Sequence, residues 1–189
     1  MIVAGARIEN PVTGETLVFH ETSHETNGER VVFETIVRPG GVVAAAHVHP
    51  YQEERFGVLE GTLGVKTGRK RSEYSAGESI TIPAGTPHKF WNAGEDELRF
   101  LAEVRPALAF ESLIETVFGL AADGKVSKNG MPSPLRLAVI ANAHFHVVRL
   151  PVIPAWLQKA ALALGAPLGK LAGFTPTYAS QATPEPAYA

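Results

Sequence analysis

The stretch GVVAAAHVHPYQEERFGVLEG, residues 41–61, and the stretch GESITIPAGTPHKFWN, residues 77–92, decide the fold of this 189-residue chain. Together they place three histidines and one of their four glutamates, Glu54, at set distances from glycines and prolines, the residues that end strands and form turns. Imidazole nitrogens and carboxylate oxygens suit a divalent transition metal such as Fe, Mn, Ni, Cu or Zn. The two stretches therefore predict a metal-binding site carried on short strands.

The spacing within each stretch predicts which side chains share a face. Side chains alternate along a strand, so His47 and His49 project to the same side and can meet one ion. Glu54 and His88 reach the same place from two further segments. The same alternation surrounds the site with apolar side chains, which we predict to be the walls of a pocket for a small substrate: Val43, Ala45, Phe56, Val58 and Phe90.

The joint spacing of these residues is the informative observation. Any one histidine, taken alone, is most simply an ordinary polar residue. In the second stretch, however, average composition would match the pattern of glycine, proline, histidine and asparagine less than about once in a million start positions. Coincidence is therefore rejected, and the open question is whether a metal at this place is structural, catalytic or bound only opportunistically.

Both stretches resemble the two conserved motifs of the cupin superfamily, over residues 41–92. The resemblance implies a double-stranded β-helix, or jelly-roll, barrel with one divalent metal inside. The six residues that separate Glu54 from Gly61 favour Glu54 over its neighbour Glu53 as the ligand. By position, the resemblance implies that the metal ligands are His47, His49, Glu54 and His88. It also implies that the barrel turns are shaped by Gly61, Gly77, Pro83, Gly85 and Asn92.

The whole chain is predicted to be a mainly β barrel followed by helices. Short strands separated by turn residues extend over residues 1–105, the predicted cupin barrel. After Pro106 the apolar spacing becomes that of a helix face. Residues 106–175 are therefore predicted to form a helical extension packed on the barrel or on a partner, and residues 176–189 a disordered tail.

Some elements are predicted with definite bounds. One strand is expected over residues 42–49 and another over residues 55–67. In the extension, a second helix is expected to run to about Arg149, and a third to break or kink at Pro167. His144 and His146 fall in the second helix, where residues two apart face different directions. We interpret both as surface or interface residues rather than as a second metal site.

Composition limits the classes of partner. With 17 basic and 19 acidic residues, the net charge of −2 argues against nucleic acid or an anionic membrane as the main partner and leaves a small molecule. The absence of cysteine excludes disulfides and thiolate ligands.

The apolar stretch 156–174 contains charged residues and a proline, so we predict no membrane span. The N-terminus does not resemble a secretory signal, which makes a cytoplasmic location the expectation. Similarity to small cupins implies a homodimer.

The resemblance also implies a function. Quercetin dioxygenases and related small cupins suggest a metal-dependent oxidoreductase of the dioxygenase kind, acting on a small aromatic or enolic compound. Four protein ligands leave two positions on a six-coordinate ion, and Glu54 is expected to serve also as the catalytic base. Two hypotheses remain open beside it: a non-redox isomerase or cyclase that uses the metal as a Lewis acid, and a non-catalytic small-molecule binder.

Overall fold

The computed structural model describes residues 2–41 and 46–180. Within these ranges the strands come first and the helices last. The strands are β1 (Arg7–Asn10), β2 (Glu15–Glu21), β3 (Val31–Val37), β4 (Glu53–Glu60), β5 (Thr62–Thr67), β6 (Lys70–Ser75), β7 (Ser79–Ile82), β8 (His88–Asn92) and β9 (Leu98–Arg105). The helices are α1 (Phe110–Ala122), α2 (Pro134–Ala143) and α3 (Ala155–Leu171).

The strands form two antiparallel sheets. The larger sheet has the order β1-β2-β3-β9-β4-β7, and the smaller has the order β6-β5-β8. The consecutive strands β4 and β5 lie in different sheets, so the chain passes from one layer to the other and the two layers enclose a common core. This confirms the predicted mainly β fold, a barrel with a C-terminal helical extension.

Strand β9 shows how side-chain alternation builds the core. Leu98, Phe100, Ala102 and Val104 are almost fully buried, and the residues between them face outward. Phe100 packs against Phe56 of β4 with the ring centroids 5.3 Å apart. Because β9 lies between β3 and β4, its inward face forms the centre of the core. Each fully buried phenylalanine there contributes about 1.5–3 kcal/mol.

A single glycine divides one predicted strand into two. The strand expected over residues 55–67 is observed as β4 and β5, and Gly61 stands between them with a φ of 80°. Glycine adopts this left-handed conformation at little cost, so the chain turns there and β5 joins the smaller sheet. The sequence pattern does not predict β1 and β6, because their mostly polar, part-exposed residues lack an apolar alternation.

The second and third helices differ from their predicted ends. Helix α2 ends at Ala143 rather than near Arg149, because the residues that follow it turn back and pair with the barrel. Helix α3 continues through Pro167 to Leu171. A proline inside a helix removes one backbone hydrogen bond, so another contact must offset that loss.

The packing of α3 on α2 provides such a contact. The buried residues of α3 are the small Ala166 and Gly169. A Cβ atom added at Gly169 would lie only 2.5 Å from the carbonyl oxygen of Leu135 and 2.5 Å from a methyl carbon of Val139, both on α2. The two helices therefore approach at a distance that only a residue without a side chain permits.

The end of the described chain is bound to α1. The hydroxyl of Tyr178 donates to Asp123 Oδ2 at 2.5 Å, and the hydroxyl of Ser180 donates to Oδ1 of the same residue at 2.8 Å. Residues 176–180, predicted as the start of a disordered tail, are thus a packed segment. Residues 181–189 of that predicted tail lie outside the described ranges.

A buried carboxyl group in β2 makes stability depend on pH. Burial raises the pKa of Glu15 from 4.5 to about 7. Between those two values the folded chain holds a proton that the unfolded chain has released. The free energy of unfolding therefore falls as the pH rises through this window, by about 3 kcal/mol in total for this group.

We expect Glu15→Gln to remove this pH dependence. The parent should lose about 3 kcal/mol in free energy of unfolding from pH 4.5 to pH 7.5, and the variant should not show this loss. Urea denaturation of both proteins at both pH values measures the difference. Glu73→Gln, at an exposed position of β6, is the matched control and should leave the parent's pH slope in place. Equal pH slopes for Glu15→Gln and the parent would contradict the assignment.

Candidate metal centre

Backbone pairing brings the two motif stretches together. The N–H of His47 donates to the carbonyl of His88 at 2.9 Å, and the N–H of His88 donates to the carbonyl of His47 at 2.9 Å. The predicted strand over residues 42–49 is described only from residue 46, and His47 and Val48 form isolated bridges there. One of these bridges fixes His47 directly beside the first residue of β8.

Glu54 reaches the same place from the larger sheet. Strand β4 lies between β7 and β9, and Glu54 is paired with Ile82 on one side and Val104 on the other. Its side chain is buried, whereas Glu53 is exposed. This placement favours Glu54 over Glu53 as the inward carboxylate.

The structure brings His47, His49, Glu54 and His88 into one cluster. One ligand atom from each residue can be chosen so that all four lie within 4.8 Å of one another. Nε2 of His88 is 2.7 Å from Oε2 of Glu54, and Nε2 of His49 is 3.6 Å from Oε1. His49, Glu54 and His88 are buried, and His47 is half-buried. Three imidazoles and a carboxylate at these distances can hold one divalent transition metal.

Two atoms of the cluster have unused bonding capacity. Among the described residues, Oε2 of Glu54 and Nε2 of His88 are buried without a hydrogen-bond partner. The two atoms face each other at 2.7 Å, the distance of an ion pair, and neither has any other hydrogen-bond partner in the described ranges. Buried polar atoms without partners are costly, and coordination of a metal would satisfy both. The donor set therefore fits a metal.

The electrostatics favour an ionised carboxylate. Burial alone would raise the pKa of Glu54, but the imidazoles of His49, His88 and His47 outweigh burial and lower this pKa from 4.5 to about 2. Burial likewise opposes protonation of His88, and the adjacent Glu54 outweighs it and raises the pKa of His88. A carboxylate that stays charged at neutral pH is suited to be a ligand. As a proton acceptor it is weaker, because a base works best with a pKa near the operating pH.

Backbone carbonyls orient two of the imidazoles. Nδ1–H of His49 donates to the carbonyl of Val147 at 2.7 Å, and Nδ1–H of His88 donates to the carbonyl of Thr86 at 3.0 Å. A carbonyl only accepts, so Nδ1 carries a proton in both rings, and in the neutral form of each ring Nε2 has the free lone pair that a metal needs. Partners of this kind fix the tautomer and orientation of metal-binding histidines.

The helical extension contributes directly to the cluster. Val48 and Arg149 exchange two backbone hydrogen bonds of 3.0 Å, so residues 147–149 pair with the His47–His49 segment on the side away from β8. The same segment supplies the Val147 carbonyl to His49. Phe110, the first residue of α1, lies with its ring 5.9 Å from that of His49. Sequence reasoning missed these contacts, because backbone carbonyls leave no residue pattern.

His144 is not the surface residue that its predicted helical position suggested. Its ring is buried, with Nδ1 donating to the carbonyl of Ile140 at 2.9 Å and Nε2 3.4 Å from the hydroxyl of Ser112. Burial lowers its pKa. His146 is exposed, as predicted. His144 also accepts backbone hydrogen bonds from Val147 and Val148, so it shapes the turn that leads to the cluster.

The structure describes three of the five residues that are predicted to form the pocket walls. Phe56 and Val58 are almost fully buried in the core, and Phe90 is half-buried with its ring centroid 5.3 Å from those of Phe56 and Phe100. Val43 and Ala45 lie outside the described residues. A cavity of about 130 Å³ lies away from the cluster, lined by Leu120, Arg136, Ile140, Gly173, Phe174, Thr175 and Tyr178.

The fold and the cluster together define a class of small β-barrel proteins with a candidate transition-metal site of nitrogen and oxygen donors. Residues 33–103 match the family model of the cupin domain. This match agrees with the resemblance to cupins that the two motifs predict, over residues 33–103.

Curated relatives give a more specific comparison. The chain is 28% identical to the probable oxidoreductase virH of Hypocrea virens, over 94% of this chain and 87% of that protein. It is 28% identical to the oxidoreductase iacF of Pestalotiopsis fici, over 77% of this chain and 79% of that protein. It is 35% identical to the polyketide synthase CurC of Streptomyces cyaneus, over 41% of this chain and 50% of that protein.

Solved structures resemble the chain more distantly. A predicted oxalate decarboxylase from Thermotoga maritima has 23% identity and a TM-score of 0.48, with 56% of this chain and 99% of that one covered. A protein with a double-stranded beta-helix domain from Klebsiella pneumoniae has 21% identity and a TM-score of 0.47, with 58% and 91% covered.

Proposed function

We propose that this chain is a metal-dependent oxidoreductase of the dioxygenase kind that acts on a small aromatic or enolic compound. One divalent transition metal would be held by His47, His49, Glu54 and His88. The observation that carries the proposal is the buried donor cluster, in which Glu54 and His88 have atoms with no hydrogen-bond partner among the described residues.

The relatives support the redox part of the proposal. Two proteins named as oxidoreductases align with most of this chain, so the likeness extends beyond the barrel into the helical extension. The extension is also where Val147 orients His49. Similarity over both the barrel and the extension is what we expect if the extension forms part of the proposed active site.

The side chains predicted as pocket walls are apolar, which suits an apolar planar substrate. When bound, a redox-active divalent metal would supply Lewis-acid and electron-transfer chemistry. Phe56, Val58 and Phe90, with Val43 and Ala45, are the proposed walls that would exclude water and orient the substrate ring. Glu54 would hold the metal with one oxygen and accept the substrate's phenolic or enolic proton with the other. Its low pKa makes the ligand role the stronger of the two.

Oxygen consumption tests this proposal. We expect the protein loaded with Fe, Mn, Ni or Cu to consume dioxygen in the presence of at least one member of a panel of flavonols, catechols and β-diketones. The rate should follow the metal content across preparations. An oxygen electrode measures the uptake, and mass spectrometry with ¹⁸O₂ shows whether both oxygen atoms enter the product.

The zinc-loaded protein is the matched control. Zinc fits the same ligands but has no redox chemistry, so it should bind and give no oxygen uptake. Tight binding of a panel compound without metal-dependent oxygen uptake would overturn the proposal in favour of a small-molecule binder. Conversion of a compound by the zinc-loaded protein would instead favour the non-redox isomerase or cyclase.

A further inference from the structure

Helix α3 is apolar on both of its sides. One side packs on α2 through small residues, of which Ala166 and Gly169 are buried. The opposite side carries the large apolar residues and faces solvent. Globular proteins normally reserve a helix that is apolar all round for a position covered on both sides. The outer side of α3 is therefore a surface that lacks its expected cover among the described residues.

The exposed residues form one continuous stripe. On a helical projection of 100° per residue, the stripe spans about 140° and is centred on Leu164. Leu164 is 75% exposed and Leu171 is 85% exposed, and the preceding loop adds Val152 at 89%. The residues of this stripe, which we call the α3 face, are Trp156, Leu157, Ala160, Ala161, Leu164, Leu168 and Leu171.

Basic residues border the α3 face. Lys159 and Lys170 fall side by side along one edge of the stripe on the same projection, and both are exposed. A lysine at the edge of an apolar helix face can extend its ammonium group to the level of lipid headgroups while its carbon chain stays with the apolar surface.

The charge of the chain is divided between its two parts. Residues 1–123 contain eleven basic and eighteen acidic residues. Residues 124–184 contain no aspartate or glutamate at all, and their basic residues are Lys125, Lys128, Arg136, Arg149, Lys159 and Lys170. The whole chain has a net charge of only −2, but residues 124–184, which include α3, carry six basic and no acidic residues and so can face an anionic membrane.

We propose that the α3 face lies in the plane of an anionic lipid surface. The large apolar side chains would enter the boundary between headgroups and acyl chains, and Lys159 and Lys170 would contact the anionic headgroups. No helix in the described ranges is long and apolar enough to cross a membrane. Helix α3 instead attaches by one side, while its other side remains packed on α2.

The charge distribution favours lipid over a symmetric contact between the α3 faces of two copies. A second copy that met the α3 face through its own α3 face would bring together two copies of residues 124–184, each with six basic residues and no acidic one. Repulsion between them opposes that contact. Residues 181–189 hold a single large apolar side chain, Tyr188, which is too little to cover a stripe of five large residues.

Vesicle binding tests the proposal. The full-length protein should co-sediment with large unilamellar vesicles of phosphatidylcholine containing 30% phosphatidylglycerol, and at least tenfold more weakly with phosphatidylcholine alone. Leu164→Ser together with Leu171→Ser should weaken binding to the anionic vesicles by more than about tenfold, because these two exposed leucines would be buried in the lipid. Lys159→Gln together with Lys170→Gln should weaken it by about tenfold.

Matched variants on the barrel serve as controls. Val3→Ser with Leu59→Ser removes exposed apolar residues, and Arg69→Gln with Lys70→Gln removes exposed charge, both outside the extension. Both should bind vesicles like the parent, and all variants should keep the parent melting temperature within a few degrees. Absence of binding to anionic vesicles, or equal loss in the barrel variants, would overturn the proposal. So would a dimer in solution that the leucine variant dissociates, since a second copy would then cover the face.

Discussion

A chain in which His47 and His88 are both replaced by alanine is expected to lose its metal. The loss of an outer partner of a metal ligand alone costs about 10–100-fold in affinity, so the removal of two ligands should exceed 100-fold. After dialysis against micromolar Fe, Mn, Ni, Cu or Zn, the parent should retain about one metal per chain and the variant less than about a tenth of that. Plasma mass spectrometry of the dialysed protein measures the content.

The control variant removes two imidazoles at exposed positions, by His24→Ala with His146→Ala. It should retain the metal content of the parent. The double change at His47 and His88 leaves Glu54 buried with fewer partners and can lower stability. The single variant His47→Gln tests the site at lower structural risk, because His47 is only half-buried. Full metal retention in both His47 variants, with a parent-like melting curve, would refute the assignment.

The second large effect is expected at Gly61, the turn between β4 and β5. Its φ of 80° is unfavourable for any residue with a side chain. A Cβ atom there would also lie 2.7 Å from the carbonyl oxygen of Glu97 and 3.0 Å from Cα of Leu98. These are backbone atoms of the chain leading into β9, and they cannot move aside without shifting that central strand. Gly61→Ala should therefore lower the free energy of unfolding by about 3–5 kcal/mol.

Gly77→Ala separates the two contributions to this effect. Gly77 has a φ of 88°, close to that of Gly61, but a Cβ atom there would meet nothing within 4 Å. Gly77→Ala should therefore lower the free energy of unfolding only by the cost of a positive φ in alanine, about 1–2 kcal/mol. Urea unfolding of both variants measures the difference, which reports the steric contact with β9. Equal losses for the two glycines would show that this contact yields easily.

The metal cluster could be predicted from the sequence to a large extent. Residues two apart on an extended segment share a face, and this local rule is enough to join His47 with His49. Motif spacing supplied Glu54 and His88, and the structure places all four together. The partners of these ligands were not predictable in the same way. Val147 orients His49 through its backbone carbonyl, and any residue at that position offers the same group.

The helical extension shows where local sequence patterns stop predicting the structure correctly. The helical periodicity predicted after Pro106 agrees with α1, in which Phe110, Leu113 and Phe118 are buried. The same kind of pattern extended α2 as far as Arg149. Pairing of Arg149 with Val48 ends the helix earlier. That pairing depends on a residue about a hundred positions away, and helix propensity and apolar periodicity describe only the local sequence.

The two motif stretches by themselves predicted the mainly β barrel and, through their resemblance to cupin motifs, the four candidate ligands. Strand alternation and turn chemistry act between neighbours in the sequence, so both can be recognised from it. Only the tertiary structure decided that residues 147–149 lie beside those ligands, and that the apolar residues of α3 face solvent. Both depend on contacts between distant segments. Such contacts are set by which surfaces pack best when the whole chain is folded, and no local spacing records them.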